Sequence, residues 1–170
     1  MKLENYIRSV PDFPRPGILF RDITPLLNDA HAFSTTIDML SDQYDDSQID
    51  VICGVEARGF LFACPLAYKL KKPFVPIRKR GKLPLETNRV EFILEYGSDA
   101  VEIHVDALKS GSKVLIVDDL LATGGTLSAS CKLIQQTGCE IAGLAVVVEL
   151  SDLNGRNVLS GYEVRTLVRY

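Results

Sequence analysis

The stretch VLIVDDLLATGGT, residues 114–126, runs an unbroken apolar segment into two adjacent carboxylates and then into a turn rich in Thr and Gly. Its first four residues are branched or long aliphatics, a pattern that predicts a buried strand. A helical pattern follows over about 125–137 and is ended by Gly138. A buried strand that passes through a Gly-rich turn into a helix is typical of α/β folds, in which ligands bind beyond the carboxyl ends of the strands.

The rest of the chain alternates between strand and helix patterns. Further strands are predicted at 49–55, 73–77, 141–149 and near 163–169, and further helices at 33–46 and about 60–71. Pro65 favours a helix that starts near it over one that runs through it. Together the elements predict a single α/β domain over residues 1–170, with a mostly parallel twisted sheet and helices on both faces.

Residues 87–105 form a more charged segment with weaker alternation than the other strands. This pattern predicts a β-hairpin that turns at 97–99 and is solvated on at least one face. For the loop at about 81–103, which contains most of this segment, we expect few buried contacts and therefore high mobility.

Composition and charge exclude several classes of protein. A net charge of -3 gives no global basic field that would attract nucleic acid. The chain has no apolar run near the ~20 residues that cross a bilayer and no signal-like N-terminus, so we expect no membrane partner and a cytoplasmic location. No CxxC pair is present and each cysteine lies in or beside an apolar segment, so buried reduced thiols are predicted at Cys53, Cys64, Cys131 and Cys139.

The turn after the strand of the opening motif is suited to bind an anion. Backbone N–H groups converge where a Gly-rich turn opens a helix, and Thr123 and Thr126 add hydroxyl donors. For the TGGT sequence alone, a capping turn that binds nothing is an equal alternative. Asp118 and Asp119 favour a ligand, because adjacent carboxylates repel each other and gain partners from ligand hydroxyls or a divalent cation. A sugar phosphate supplies both the anion and the hydroxyls.

The motif DDLLATGGT closely resembles the 5-phosphoribosyl pyrophosphate (PRPP) signature of the type I phosphoribosyltransferases, in the form found in members that act on adenine. Further stretches are similar to the same family, so that the resemblance covers nearly the whole chain: PDFPRPGILFRDITPLL (11–27), GVEARGF (54–60), IRKRGKLP (77–84) and LEYGSDAVEIHVDAL (94–108). The sequence departs from the family at LETNRVEFI (85–93) and in the C-terminal NGRNVLSGYEV.

The resemblance implies a fold and a reaction. The fold is the type I phosphoribosyltransferase fold, with a small N-terminal hood at about 1–30 and a mobile catalytic loop at about 81–103. The reaction joins adenine to PRPP and gives AMP and pyrophosphate. Mg²⁺ is the expected cofactor, held mainly by PRPP because no protein-only metal cage is visible in the sequence. A homodimer is expected, because in the family part of the basic turn reaches the neighbouring subunit's site.

The resemblance also implies roles for individual residues. The catalytic set is Asp118 and Asp119, which hold the ribose hydroxyls, and Glu95, which transfers a proton at the purine. Adenine binds at Leu19, Phe20 and Arg21 of the hood. PRPP and AMP bind at the 5′-phosphate loop, the pyrophosphate loop and a basic turn: Ala122, Thr123, Gly124, Gly125, Thr126, Glu56, Ala57, Arg58, Arg78, Lys79 and Lys82. The peptide between Glu56 and Ala57 is expected to be cis.

Other readings fit parts of the sequence. From the residues alone, a solvated hairpin carboxylate is the favoured interpretation of Glu95, and RKRGK can be a solvated turn after a strand. A non-catalytic PRPP sensor that binds DNA or RNA would be expected to carry a basic face or an added DNA-binding domain, and the sequence shows neither. A sister transferase for another 6-substituted purine is the nearer alternative, and turnover on different purines separates it from an adenine enzyme.

Overall fold

The computed structural model of the chain describes residues 1–93 and 98–170. In chain order its strands and α-helices are β1 (Arg8–Pro11), β2 (Leu19–Asp22), α1 (Thr24–Asn28), α2 (Ala30–Asp42), β3 (Val51–Val55), α3 (Phe60–Leu70), β4 (Phe74–Lys79), β5 (Thr87–Ile93), β6 (Ser98–His104), β7 (Lys113–Leu121), α4 (Gly125–Gln136), β8 (Glu140–Glu149) and β9 (Val164–Arg169). Short 3₁₀ helices occur at Leu3–Tyr6, Asp46–Gln48, Ser151–Leu153 and Gly155–Leu159.

Seven of the described strands form the central sheet, in the order β5-β6-β4-β3-β7-β8-β9. The pairs from β4 to β9 are parallel, whereas β6 is antiparallel to both β4 and β5. The predicted fold class is therefore confirmed as α/β with a mostly parallel sheet. Because β3, β4 and β7 are neighbours and run the same way, their carboxyl ends open at one edge of the sheet.

Hydrophobic cores lie on both faces of the sheet, and alternation along β7 supplies both of them. Ile116 belongs to the core that contains Leu127 and Cys131 of α4. Leu115 belongs to the opposite core, which contains Leu40 of α2 and Phe62 of α3. Successive side chains of a strand point to opposite faces, so this apolar run needs helices on both sides of the sheet.

Helix α3 corrects two expectations. It begins at Phe60 and runs through Pro65, although a start near the proline was predicted. Phe62 and Leu66 are fully buried on its inner face. Burying each stabilises the helix by ~1.5–3 kcal/mol, which offsets the roughly 3 kcal/mol cost of an interior proline. Cys64 lies on the outer face and is exposed, so the predicted burial is wrong there, whereas the other three cysteines are buried and all four are free thiols.

The predicted hairpin is present as the antiparallel pair β5–β6, from Thr87 opposite His104 to Ile93 opposite Ser98. The expected scarcity of buried contacts is wrong for β6, whose residues 100–103 are buried. The reason is that β6 also pairs with β4 and so continues the central sheet. Of the predicted turn at 97–99, Ser98 and Asp99 belong to β6, so the prediction is wrong for these two residues. Gly97 lies outside the described residues, as does Glu95.

The N-terminal residues form a separate two-stranded antiparallel sheet of β1 and β2, followed by the short helix α1. Arg8 and Asp22 pair across the two strands at 2.7 Å. Both strands are mostly exposed or half-buried. Within the described residues, no helix combines the length and apolar character that crossing a membrane requires.

Candidate active site

The carboxyl ends of β3, β4 and β7 open into a cleft of about 580 Å³. Most of the site residues predicted from the sequence line this cleft. They are Glu56, Ala57, Arg58, Arg78, Lys79, Asp118, Asp119, Ala122, Thr123, Gly124, Gly125 and Thr126. Separate sequence motifs therefore meet at one edge of the sheet.

The carboxylate pair at the end of β7 is buried, with Asp118 9% and Asp119 5% exposed. The Asp119 backbone N–H donates to Asp118 Oδ1 at 2.9 Å. Arg58 Nε lies 2.9 Å from Asp119 Oδ2 as an ion pair. The Arg58 N–H does not point at this oxygen in hydrogen-bond geometry. Among the described residues, Asp119 Oδ2 therefore has a positive charge beside it but accepts no hydrogen bond.

Burial governs the protonation of this pair. It raises the pKa of Asp118 well above the ordinary value, and the neighbouring charge of Asp119 raises it further. Burial also raises the pKa of Asp119, against the opposing effect of the Arg58 guanidinium. Two carboxylates held close together away from water favour a state in which they share a proton or acquire a ligand.

The loop that follows β7 joins the acid pair to the start of α4. Gly124 has φ +84°, a left-handed conformation that glycine adopts without strain. A side chain there would also lie 2.5 Å from the Gly155 carbonyl oxygen. The first N–H groups of α4, which begins at Gly125, have no acceptor within the helix and lie at the cleft. The arrangement supplies backbone donors and a favourable helix dipole to an anion.

The loop after β3 brings charged groups to the opposite side of the cleft. The Glu56–Ala57 peptide is cis, as the family resemblance predicts. Glu56 accepts hydrogen bonds from Arg78 Nε at 3.0 Å and from the Lys79 backbone N–H at 2.8 Å. The hydrogen bond from Arg78 holds the pKa of Glu56 below its ordinary range. In this structure each cleft cation faces a carboxylate, since Lys79 Nζ also lies 3.1 Å from Asp99.

Some predicted residues do not line the cleft. Lys82 lies in the exposed turn after β4. The three hood residues on β2 lie outside the lining, although the Phe20 ring is 5.4 Å from the Arg58 guanidinium carbon and so borders it. The Arg21 guanidinium stacks on the Tyr170 ring at 3.6 Å and bonds to Ser9 Oγ.

Sequence reasoning missed three contributors to the cleft. Phe92 and Asp99 line it from the hairpin. Sequence patterns did not predict this, because the two residues are far along the chain from the motifs at the ends of β3 and β7. Gly59 permits the acid pair to pack, because a side chain there would lie 2.8 Å from Asp118 Oδ1 and 2.5 Å from the Val55 carbonyl oxygen. Its position in the turn between β3 and α3 was the available signal.

Metal-ligating side chains do not form a cage in the part of the chain that the structure describes. There, no group of three or more His, Cys, Asp or Glu residues is placed to hold an ion. The carboxylate oxygens at the end of β7 are nevertheless hard oxygen ligands of the kind that Mg²⁺ accepts. The residues therefore fit a cation that takes most of its ligands from a bound anion.

Comparison with known proteins identifies close relatives over the full length. A family model described as phosphoribosyl transferase domain matches residues 26–167. A relative from Clostridium perfringens named adenine phosphoribosyltransferase is 54% identical over 170 residues, covering 100% of this chain and 99% of that protein. The crystal structure of an adenine phosphoribosyltransferase from Thermoanaerobacter pseudethanolicus is similar with a TM-score of 0.96 and 50% identity, over 99% of this chain and 98% of that chain. An adenine phosphoribosyltransferase from Saccharomyces cerevisiae, complexed with an imino-altritol bisphosphate and adenine, has a TM-score of 0.93 and 40% identity, over 97% and 96% of the two chains.

Proposed function

The chain belongs to the adenine phosphoribosyltransferase family, and on that premise we propose how its cleft performs the reaction. The enzyme transfers the 5-phosphoribosyl group from PRPP to adenine, giving AMP and pyrophosphate in purine salvage. N9 of adenine forms a bond to C1 of the ribose, the bond from C1 to the pyrophosphate oxygen breaks, and the purine loses a proton. The alternatives of a non-catalytic regulator and of a transferase for a different purine are disfavoured by the named relatives.

The ribose 5-phosphate half of the substrate binds at the end of β7. In this proposal the phosphate accepts hydrogen bonds from the loop 122–126, and Asp118 and Asp119 accept them from the ribose hydroxyls. The observation that carries the proposal is the buried acid pair with an oxygen that lacks a donor, directly beside the start of α4. Ribose hydroxyls supply the missing donors, and a phosphate suits the helix N-terminus.

The pyrophosphate half binds on the side of β3 and β4. We assign it to the cleft cations Arg58, Arg78 and Lys79, whose present partners are carboxylates. A polyanion that enters the cleft competes with these carboxylates for the same N–H donors. Cations held at the departing group stabilise the charge that develops as the bond to C1 breaks, and this electrostatic effect is the protein's main contribution to the rate. Lys82 joins this set by resemblance to the family.

We propose that Mg²⁺ is held mainly by PRPP, and Asp118 and Asp119 are the protein residues that would reach it. The ion would supply neutralising charge at the departing pyrophosphate. Asp118 and Asp119 orient the ribose whether or not the ion reaches them directly.

Adenine is proposed to bind against the hood, near the main chain of Leu19 and Arg21 and beside Phe20. Glu95 is proposed to take up the proton released by the purine. General acid–base assistance of this kind contributes roughly 10²- to 10⁴-fold, so Glu95→Gln should lower turnover by that range while AMP affinity changes little. Turnover close to that of the wild type, measured where chemistry limits the rate, would contradict this role.

We also propose a cytoplasmic homodimer. Four free cysteines are consistent with a reducing compartment. The outer face of α3 exposes Leu61 and Tyr68, at 43% and 88%, each about one helical turn from Cys64. An apolar stripe of this kind suits a second copy of the chain. Sedimentation of the wild type beside Tyr68→Lys tests the assembly, since a charge on this face should shift a dimer towards monomer.

The experiment that tests the function is a comparison of turnover with PRPP on adenine, hypoxanthine, guanine and xanthine. Adenine should be the preferred substrate, with release of AMP and pyrophosphate in equal amounts. Comparable or faster turnover on one of the 6-oxopurines would overturn the assignment of adenine. Absence of turnover on all four, with AMP still bound, would support the regulator instead.

A further inference from the structure

The C-terminal segment NGRNV, residues 154–158, packs against the back of the loop 122–126. A side chain at Gly155 would collide with the Ala122 carbonyl oxygen and lie 3.1 Å from the Gly124 nitrogen. Conversely, a side chain at Gly124 would lie 2.6 Å from a methyl group of Val158. Two backbones thus meet without side chains between them, so any shift of the segment moves the loop.

An ion pair to a buried glutamate fixes this segment. Glu149, at the end of β8, accepts hydrogen bonds from Arg156 Nε at 2.7 Å and from its terminal nitrogen at 2.8 Å. The same carboxylate accepts from Thr166 Oγ1 at 3.0 Å and pairs with Arg169 at 3.1 Å. Arg156 also donates to the Val164 carbonyl oxygen at 2.9 Å. These contacts hold one guanidinium by planar bidentate geometry that a lysine cannot reproduce.

The ion pair is anchored next to the site strand. Glu149 lies opposite Leu121 in the pairing of β8 with β7, and Leu121 is the residue directly before the loop. The Leu150 backbone N–H donates to the Leu121 carbonyl oxygen at 2.9 Å. The end of β8 thus supports the loop 122–126 at its N-terminal side. Arg156 supports the segment 154–158, which packs against the other side of the same loop.

From this geometry we propose that Arg156 is a positioning residue for the 5′-phosphate of PRPP and AMP, held in place by Glu149. It does not touch the substrate. It keeps Gly155 against the loop, so that the N–H groups of the loop stay aimed at the phosphate. This inference rests on the proposed function of the loop and adds a residue to it from one of the two parts of the sequence that depart from the family.

The test compares two arginine variants that are matched in exposure. The side chains of Arg156 and Arg165 are both 38% exposed, and each pairs with a glutamate. Arg165 pairs with Glu163 and stacks over Tyr44, and within the described residues its side chain makes no hydrogen bond or ion pair to the loop 122–126. For Arg156→Met we expect the KM for PRPP and the Kd for AMP to rise about tenfold, the effect of weakening one charge-assisted hydrogen bond. The value of kcat at saturating PRPP and the Kd for pyrophosphate should stay within about twofold.

Arg165→Met should leave all four quantities within about twofold of the wild type, and Arg156→Lys should fall between the wild type and Arg156→Met because it restores the charge without the bidentate contact. An unchanged AMP affinity in folded Arg156→Met would overturn the proposal. So would equal losses for AMP and pyrophosphate, since a general loss of structure affects both halves of the cleft. If Arg156→Met does not fold, Arg156→Lys is judged by the same two criteria. Wild-type protein that binds neither AMP nor PRPP would instead refute the proposed function.

Discussion

Two neighbouring strands of the sheet end in buried carboxylates with opposite electrostatic surroundings. At the end of β7, Asp118 and Asp119 are 9% and 5% exposed, and Asp119 Oδ2 has no hydrogen-bond donor among the described residues. At the end of β8, Glu149 is 6% exposed and is surrounded by donors from Arg156, Thr166 and Arg169. Burial raises the pKa of Asp118, whereas the hydrogen bond from Arg156 lowers the pKa of Glu149.

The difference shows that burial alone does not identify a functional carboxylate. All three side chains are withdrawn from water to a similar degree, yet one strand end is satisfied by the protein and the other is not. A buried charge without donors destabilises the free protein and gains most from a ligand. The deficit of donors at β7 therefore supports the proposed binding site, and the surplus at β8 indicates a structural support.

The comparison between the two strand ends predicts its largest effect at β7, where neutralising the acid pair should weaken ligand binding. Replacing Asp118 and Asp119 together by Asn removes the two charged acceptors that we assign to the ribose hydroxyls. The Kd for AMP should rise by about 100-fold or more, since each charge-assisted hydrogen bond contributes about 1.5–3 kcal/mol. Isothermal titration measures it, with Asp38→Asn on the surface of α2 as the control. Unchanged AMP affinity in the double variant would refute the ribose assignment.

The next effect is a loss of stability at β8. Glu149→Gln keeps the shape of the side chain but removes the charge that faces two arginines, so the free energy of unfolding should fall by about 2 kcal/mol. Urea unfolding measures the change. Glu163→Gln, at a carboxylate that is 56% exposed and also pairs with an arginine, should change it by about 0.5 kcal/mol or less. Equal changes in the two variants would contradict the distinction between a buried support and a surface pair.

A smaller effect of opposite sign is expected from Asp118→Asn alone. The amide oxygen still accepts the Asp119 N–H, and the cost of a buried carboxylate disappears. The free protein should therefore gain about 1 kcal/mol of stability at pH 7. Urea unfolding without ligand is the measurement. A clear loss of stability would mean that Asp118 is satisfied in the free enzyme, and the comparison with Glu149 would fail.

The smallest predicted effect is a change with pH in the stability that Asp118→Asn gains over the wild type. The folded pKa of Asp118 lies above the unfolded value of about 3.9, so between the two the folded state binds more protons, and the contribution of this group to stability falls as pH rises. The advantage of Asp118→Asn should accordingly shrink from pH 7 towards pH 4. The difference between variant and wild type cancels the carboxylates far from this site and reports the titration of Asp118 together with its effect on Asp119. An advantage that is constant over this range would rule out titration of Asp118 as its cause.

Local pattern predicted the parts of the molecule that depend on neighbouring residues in the chain. The run Val114–Val117 indicated a strand buried on both faces, and the Thr/Gly turn indicated the start of α4. Both are as expected, because alternation, glycine turns and helix starts are short-range effects. The family resemblance added the cis peptide at Glu56.

The parts that sequence did not predict depend on contacts between distant residues. Pro65 lies inside α3 because buried side chains outweigh its local preference. Burial of β6 depends on its pairing with β4, and the support at Glu149 joins residues from β8, β9 and the segment between them. No local pattern contains these contacts. The cleft likewise gains Asp99 from the hairpin and lacks Lys82, since only the folded sheet decides which charged side chains reach its edge.

The position of β7 also bears on how the site is lost. The strand is hydrogen-bonded to β3 on one side and β8 on the other, and its side chains enter both cores. Amide hydrogens in such a strand exchange with solvent only when the whole sheet opens, whereas those of β1 and β2 exchange through local openings that leave the sheet intact. On heating, we expect the two-stranded N-terminal sheet to open first while the acid pair keeps its geometry. The proposed ribose site should then disappear in the same cooperative event that unfolds the chain.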